Sequence, residues 1–482
     1  AVLVPIGVAV ARHSRGTWLP IGDDALVELR ARDVLSWKHL PLLGTWSSAS
    51  LSAGKDLNHP GPLEFDLLAI PVRLFGGRAG MALGVGLINA VAVVGVAVVA
   101  HRLRGATAAV WAMLITAVLT LTMGSTMLTD AWNPHVLILP CLLMLVLVWG
   151  VATGDVALLP WLLATASFCL ETHLGYAYLA PALCVDAIVG AAVVFRRRWR
   201  ADAATRPVDV PRLRRVGLVS VATVLVLWIQ PIAEQLFGSG QGNMARILTS
   251  TGGDEPTLGA TMSVRIVGRL VALPPWWSRS TFMTAVPNTS YEPDGVTVSP
   301  RGLPGIVPAV LGLALVLAFV AAVGWWAWRR RDRTGTVAVA VALAAVVVAL
   351  ASLGLTPHQM RWLWPVSAFV VLAVVVNLVG VATGARARRL VGPVGLALVA
   401  LVAVANLPAY VQMAGPESAP RSIGPARALS DQVAAWRPDG AVWLDTRDLR
   451  VFEPYSAVVM AALQRGGVDL RVDEPGLVRQ LG

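Results

Sequence analysis

The chain has few charged residues. Asp, Glu, Lys and Arg together make up 14% of its 482 residues, whereas soluble domains contain about a quarter. Hydrophobic residues make up 56%, and the mean hydropathy is +0.68. No P-loop, zinc-ligand cluster or dinucleotide fingerprint occurs in a matching context. This composition excludes an ordinary soluble domain and indicates an integral membrane protein.

Cysteine and lysine are also scarce. The three cysteines, Cys141, Cys169 and Cys184, all lie in or at the edge of apolar runs. They are expected to be packing residues rather than disulfide partners or metal ligands, because the hydrophilic segments contain no cysteine. Lysine is nearly absent, so the positive charge of the chain comes almost entirely from arginine.

Ten apolar stretches have about the length of a membrane-spanning helix, since a hydrocarbon core of about 30 Å takes about 20 residues. They cover residues 78–101, 106–123, 135–152, 156–171, 174–195, 216–233, 305–328, 335–354, 363–382 and 390–410. The opening run AVLVPIGVAVA is too short to span, and no Met precedes it, so it is expected to be the end of a first span. The sequence therefore predicts an all-α polytopic membrane protein with about eleven transmembrane helices.

Arginines cluster at every second junction between these stretches, at 102–104, 196–215, 329–333 and 386–389. The short junctions on the other side contain only Arg361. Because arginine is enriched in cytoplasmic loops, the clusters mark the inner side of a bacterial plasma membrane. The net charge of +11 is then explained by topology rather than by affinity for nucleic acid. Three large segments are predicted to lie outside: 12–77, 234–303 and 411–482.

Two motifs stand in the first of these outer segments. Asp23 and Asp24 open a stretch with apolar residues at helical spacing, which is typical of a helix lying along the membrane surface. The pair would also serve as a cap for the first turn of that helix. His59 begins the turn His-Pro-Gly-Pro-Leu, which leads into the apolar run 63–75 and predicts a second surface helix.

This order of motifs, followed by a long series of spans, resembles the GT-C superfamily of polyprenyl-phosphate-sugar-dependent glycosyltransferases. The superfamily includes protein O-mannosyltransferases, aminoarabinose transferases and the actinobacterial arabinofuranosyltransferases. The resemblance covers residues 1–410 and depends on the order of short motifs. It implies an inverting transfer of a sugar from a polyprenyl-phosphate donor to a glycan or lipid of the cell envelope.

Polar residues at two further outer turns agree with that resemblance. Asp130, Asn133 and His135 lie at one turn, and Glu171 and His173 at the next. Ionisable groups at membrane depth are costly and usually face a polar cavity, so these residues, together with His59, are candidates for binding the substrates. A packing or interface role stays open, above all for His173.

Arg361 is the arginine that the topology rule does not explain. A planar guanidinium can hold a phosphate with two hydrogen bonds, and the resemblance implies that a basic residue near this position holds the lipid phosphate. Arg361, together with His358, is therefore the predicted phosphate site. The alternative is an interface anchor beside Trp362 and Trp364.

The expected reaction requires a carboxylate that takes the proton of the acceptor hydroxyl and a cation that stabilises the leaving phosphate. Adjacent residues of a helix point about 100° apart, so only one acid of the pair is expected to face the acceptor. The resemblance implies Asp23 as the base. Asp24 is expected to orient Asp23 or to help bind a metal, so a divalent cation stays open as a cofactor.

The other two outer segments contain fewer signals. Apolar residues and arginines alternate over 264–271, which predicts a short amphipathic helix. Trp276 and Trp277 follow; they are candidates for stacking on acceptor sugar rings, with a membrane-belt role as the alternative. Residues 411–482 have the order helix, strand, helix, strand, which predicts a small α/β domain outside the membrane. Residues 1–410, including both outer loops, form the predicted transmembrane domain.

The sequence thus predicts a membrane glycosyltransferase with its active site on the outer face. Its expected partners are a polyprenyl-phosphate sugar, a glycan or glycolipid acceptor and membrane lipids. The resemblance favours decaprenyl-phosphate arabinofuranose as the donor, with a mannose donor second. A transporter or lipid flippase is the main alternative, although the spans show no obvious inverted repeat and are nearly free of charge. A non-catalytic scaffold for envelope assembly is the third possibility.

Overall fold

The computed structural model describes residues 1–36, 39–201, 210–238, 240–250, 259–271, 289–292, 295–299, 302–352, 361–380, 385–407, 414–416, 419–436, 438–449, 452–472 and 478. The first helices are α1 (Leu3–Arg15), α2 (Asp23–Asp33), α3 (Ala49–Ala53) and α4 (Leu63–Met127). They are followed by α5 (Asn133–Val136), α6 (Ile138–Ala152), α7 (Leu159–Thr172), α8 (Leu179–Ala201), α9 (Val210–Leu227), α10 (Ile229–Phe237), α11 (Asn243–Ser250) and α12 (Gly259–Val271). The last helices are α13 (Ile306–Arg329), α14 (Arg333–Ala351), α15 (Leu363–Val379), α16 (Ala385–Asn406), α17 (Ile423–Ala435) and α18 (Ser456–Arg465).

The long helix α4 is broken at three glycines. Gly76, Gly105 and Gly124 have φ values of 77°, 79° and 72°, which a helix does not allow and which only glycine adopts without strain. The breaks divide α4 into an entry segment over 63–75, two longer apolar segments and a last short piece over 125–127. The first three segments coincide with the predicted second surface helix and with the predicted spans 78–101 and 106–123.

The structure confirms a polytopic helical protein, but not the predicted number of spans. Among the described residues, five helices are long and apolar enough to cross a membrane, or six if α9 and α10, which meet at an angle of 56°, form one span. Three shorter apolar helices are also present, at Val156–Thr172, Leu363–Val379 and Gly392–Asn406. The count of about eleven stays a prediction.

Helix α6 lies at the centre of the bundle and α13 at its periphery. Every residue of α6 except Leu143 is buried, which follows from its lack of a polar face. In contrast, α13 buries one side and exposes Leu311, Leu315 and Phe319 on the other, as expected for a helix against lipid. The cysteines are free, and Cys141 and Cys169 are buried in this core, as predicted.

Two pairs of short strands accompany the helices. β1 (Thr289–Glu292) and β2 (Gly295–Val298) form an antiparallel hairpin that was not predicted from the sequence. β3 (Val442–Leu444) and β4 (Leu470–Val472) pair in parallel and alternate with α17 and α18, in the predicted order helix, strand, helix, strand. The assignment of 411–482 as a separate domain stays a prediction.

The predicted helix α2 is present and is buried on two sides, whereas its position along the membrane surface stays a prediction. Val27 and Ala31 belong to the main core of the bundle. Ala25 and Leu29 belong to a second core that includes Val458 of α18. These pairs lie on different faces because each residue turns the helix by about 100°. The C-terminal helices therefore cover the side of α2 that a surface helix would leave open.

Buried charge also joins α2 to its two neighbours. The carboxylate of Glu28 is fully buried and accepts hydrogen bonds from Arg32, at 3.0 Å, and from Arg465 of α18, at 3.2 Å. It lies against Gly77 of α4, where any Cβ would overlap it. Breaking such a buried ion pair is costly, so the start of α2 is held in a defined position relative to α4 and α18.

Candidate active site

The acidic pair opens α2 directly after a glycine turn. Gly22 has a positive φ of 57°, and its amide N–H donates a hydrogen bond to the carbonyl oxygen of Pro454 at 3.2 Å. Asp23 is half-buried, and its Oδ2 accepts a hydrogen bond from the indole Nε1 of Trp132 at 2.9 Å. Asp24 is buried, with 4% of its surface exposed. The two carboxylates therefore lie in different environments, as their helical spacing predicts.

Asp24 lies beside the carboxyl group of Asp130. Burial and the negative charge of Asp130 raise the pKa of Asp24 well above its ordinary value. Burial alone would also raise the pKa of Asp130, but His135 and the amide N–H of Trp132 outweigh it and lower that pKa. His135 Nδ1 lies 2.6 Å from Asp130 Oδ2. The two neighbouring carboxyl groups are therefore shifted in opposite directions, and the shift of Asp24 favours its protonated form.

Asn133 connects this group to two other elements. Its Nδ2 donates to Glu64 Oε2 at 3.1 Å and to the carbonyl oxygen of Thr172 at 2.8 Å. Glu64 lies in the first turn of α4, and Thr172 is the last residue of α7. The turn at 130–135 is thereby joined to the entry of α4 and to the end of α7.

Arg361 lies beside the same turn. Its guanidinium carbon is 5.7 Å from the centroid of the Trp132 ring and 4.3 Å from that of the Trp364 ring. Only 7% of its surface is exposed. Asp23 and Arg361, separated by most of the chain, thus contact the same indole. The topology predicted that Asp23 and Arg361 lie on the same outer face. It did not identify Trp132 as the residue that contacts both.

His59, Glu171 and His173 form a neighbouring group. His59 Nδ1 accepts the amide N–H of Leu174 at 3.0 Å, and the two imidazole rings lie 4.8 Å apart. His173 Nδ1 accepts the amide N–H of Gly175 at 3.1 Å. Burial lowers the pKa of His173 to about 4, so the ring is neutral, as its acceptor role requires. Both histidines hold backbone turns, and their part in substrate binding stays a prediction.

The turn at Gly61 depends on its lack of a side chain. Its amide N–H donates to the carbonyl oxygen of Glu171 at 3.1 Å, and a Cβ there would overlap the fully buried Glu171 carboxylate. We expect Gly61→Ala to lower the stability of the folded protein by about 1–3 kcal/mol, the usual result of overpacking. The melting temperature of the purified protein in detergent measures this.

Gly217→Ala is the matched control, because a Cβ at Gly217 meets no atom within 4 Å. Its melting temperature should equal that of the wild type or exceed it slightly, since alanine favours helix. The double variant Gly61→Ala/Glu171→Ala should lose less folding stability than the sum of the losses in the two single variants. Strict additivity would contradict the close packing of Gly61 on Glu171.

Two residues that the sequence did not single out belong to the site. Trp132 contacts both Asp23 and Arg361, and Glu64 accepts a hydrogen bond from Asn133. Trp132 stands inside the predicted turn, which was the one available signal. His358, Trp276 and Trp277 lie outside the described residues. Within the described part of the chain, no group of three or more His, Cys, Asp or Glu could hold a metal ion.

Comparisons with known proteins show a likeness at the level of the fold. No family model matches the chain, and no curated protein matches its sequence. The structure is similar to the crystal structure of ArnT from Cupriavidus metallidurans bound to undecaprenyl phosphate, with a TM-score of 0.50 and 15% identity over 99% of this chain and 87% of that chain. The apo state of the same protein has a TM-score of 0.49 at 15% identity over 99% and 86% of the two chains. At this identity the likeness is one of fold.

Proposed function

We propose that the chain transfers a sugar from a polyprenyl-phosphate donor to an acceptor hydroxyl at the outer face of the plasma membrane. The proposal depends on one observation: the indole of Trp132 contacts both an acid and a buried guanidinium. Its N–H donates a hydrogen bond to Asp23, and the guanidinium of Arg361 lies over its ring. Glycosyl transfer needs both groups within reach of one sugar phosphate. The fold shared with ArnT, crystallised with undecaprenyl phosphate, supports the donor class.

Asp23 is the proposed base. The acceptor oxygen forms a bond to the anomeric carbon, the bond from that carbon to the phosphate oxygen breaks, and the hydroxyl proton passes to Asp23. Burial raises the pKa of Asp23 above its ordinary value, although the hydrogen bond from Trp132 opposes the shift. A raised pKa makes the carboxylate a stronger base, provided that it is ionised at the working pH.

Asp24 is less suited to that role, because burial and the negative charge of Asp130 raise its pKa well above its ordinary value and favour the protonated form, which cannot take up the acceptor proton. Asp24 lies beside Asp130, whose Oδ1 accepts the amide N–H of Trp132 at 3.0 Å. Asp24 is therefore the proposed support for the turn that positions the base.

Arg361 is the proposed ligand of the donor phosphate. An interface anchor would extend its guanidinium toward water, whereas this side chain is almost fully buried between Trp132 and Trp364. The flat faces of the two rings orient the guanidinium, and its N–H groups can hold two phosphate oxygens. The negative charge that develops on the leaving phosphate is thereby stabilised.

The donor sugar is proposed from the sequence resemblance: decaprenyl-phosphate arabinofuranose first, a mannose donor second. The test is transfer from each radiolabelled lipid donor to a cell-wall glycan by the purified protein in detergent. We expect one donor to yield labelled glycan and unlabelled polyprenyl phosphate. If no donor is used and the reconstituted protein instead moves lipid between the leaflets of a vesicle, the flippase alternative is correct.

A further inference from the structure

We infer that Trp132 is a positioning residue that couples the base to the phosphate-binding cation. The inference rests on the proposed function and extends it to a residue outside the acidic pair and the arginine. One side chain supplies both contacts: its N–H edge bonds to Asp23, and its ring face lies beside Arg361.

The N–H edge determines which oxygen of Asp23 is available. Trp132 Nε1 donates to Oδ2 at 2.9 Å and occupies one of its lone pairs, so we assign Oδ1 as the oxygen that takes the acceptor proton. An indole nitrogen donates only and cannot accept that proton itself. Because the bond favours the ionised carboxylate, it also keeps Asp23 available as a base to lower pH than burial alone would allow.

The ring face determines where the guanidinium lies. Arg361 stands between two indoles, with Trp132 at 5.7 Å and Trp364 at 4.3 Å from its central carbon. Attraction between a cation and an aromatic face is significant within about 6 Å of the ring centroid. Removing the Trp132 face takes away one of the two aromatic rings that lie over the guanidinium and leaves that of Trp364.

Trp132 is held by three contacts. Its backbone N–H donates to Asp130 Oδ1 at 3.0 Å, its backbone carbonyl oxygen accepts the amide N–H of His135 at 2.8 Å, and the His135 ring lies nearly perpendicular to the indole with the ring centroids 4.5 Å apart. His135 is in turn bonded to Asp130. Trp132 is half-buried, in contrast to the buried Arg361 and Trp364.

Other charged groups also face the base. Asp24 and Asp130 lie on its own side of the turn, Glu64 faces it from α4, and Arg361 faces it across Trp132. None of them is altered in a Trp132 variant. A change in the pH profile of such a variant, compared with the wild type, therefore reports the lost hydrogen bond.

The test compares Trp132→Phe with Trp132→Leu in the transfer assay. Phenylalanine keeps an aromatic face and removes the N–H, so the acid limb of the kcat/KM profile should move upward by about one pH unit, with activity recovering at high pH. Leucine removes the face as well, so the donor KM should additionally rise by about fivefold or more. Trp443→Phe, at an exposed position on β3, is the control and should match the wild type.

The outcomes separate this inference from the proposed function. An inactive wild type would defeat the proposed function. An active wild type with an unshifted profile in Trp132→Phe, or with equal donor KM in the two variants, would overturn the role of Trp132 alone. Melting temperatures of all variants show that the protein is folded, and a uniform loss of activity at every pH would mean a merely structural role.

Discussion

Asp23→Asn is expected to lower kcat/KM for sugar transfer by about 10²–10⁴-fold, the usual contribution of a general base. An amide has the size of the carboxylate but cannot take the acceptor proton. Activity of the wild type should fall as the pH drops through the raised pKa of Asp23, because the protonated form is inactive. Initial rates of the purified variant over a range of donor concentrations and pH values measure both effects.

Two further Asp→Asn changes make this result specific. Asp445→Asn alters an exposed carboxylate paired with Arg447 and should leave transfer unchanged. Asp24→Asn keeps a side chain of the same size with an N–H that can donate to Asp130. The decrease in kcat/KM should therefore be at least about tenfold smaller than the decrease in Asp23→Asn. Full activity in Asp23→Asn, or an equal loss in Asp24→Asn, would reassign the base.

Arg361→Ala is expected to lower kcat/KM by about 10²–10³-fold, the usual cost of removing one group that stabilises developing charge. The donor KM should rise as well, because the guanidinium binds the phosphate of the intact donor. Arg361→Lys should recover only part of the activity, since an ammonium cannot form the two parallel hydrogen bonds. Initial rates and titration of the protein with polyprenyl phosphate measure the two effects.

Arg471→Ala is the control for that change, because Arg471 is exposed and its ion pair is with the neighbouring, exposed Asp469. It should bind polyprenyl phosphate as the wild type does. If Arg361→Ala binds polyprenyl phosphate and transfers sugar as the wild type does, Arg361 is an interface anchor and not the phosphate ligand. The proposed site would then have no cation for the leaving phosphate.

The helices of the bundle were the most predictable part of the fold. The segments of α4 were located within a few residues, because the apolar runs that predict them end close to Gly76 and Gly105, where the helix is broken. Hydropathy is a local property of the sequence, so the ends of these runs could be predicted from it. The burial of α2 on both sides was not predictable, since the residues that cover Ala25 and Leu29 come from the other end of the chain.

The candidate site was partly predictable for a similar reason. Topology brings Asp23, the turn at 130–135 and Arg361 to one end of the bundle, and their polar character marks them in the sequence. Trp132 lacked such a mark, because a tryptophan near a span is ordinarily an interface residue. Its bond to Asp23 joins residues 109 positions apart and depends on how α2 packs against the turn.

The sequence by itself determined the class of the protein, the course of its main helices and the acids and arginine that stand out from an apolar background. Apolar length determines where a helix can span, and the position of arginines determines its orientation in the membrane. Both are local properties of the sequence, so they can be read without the fold. Tertiary structure alone decided which groups surround Asp23 and Asp24, and that one indole contacts both Asp23 and Arg361. Proton affinity and ring stacking depend on distances of a few ångströms, and only packing sets those distances.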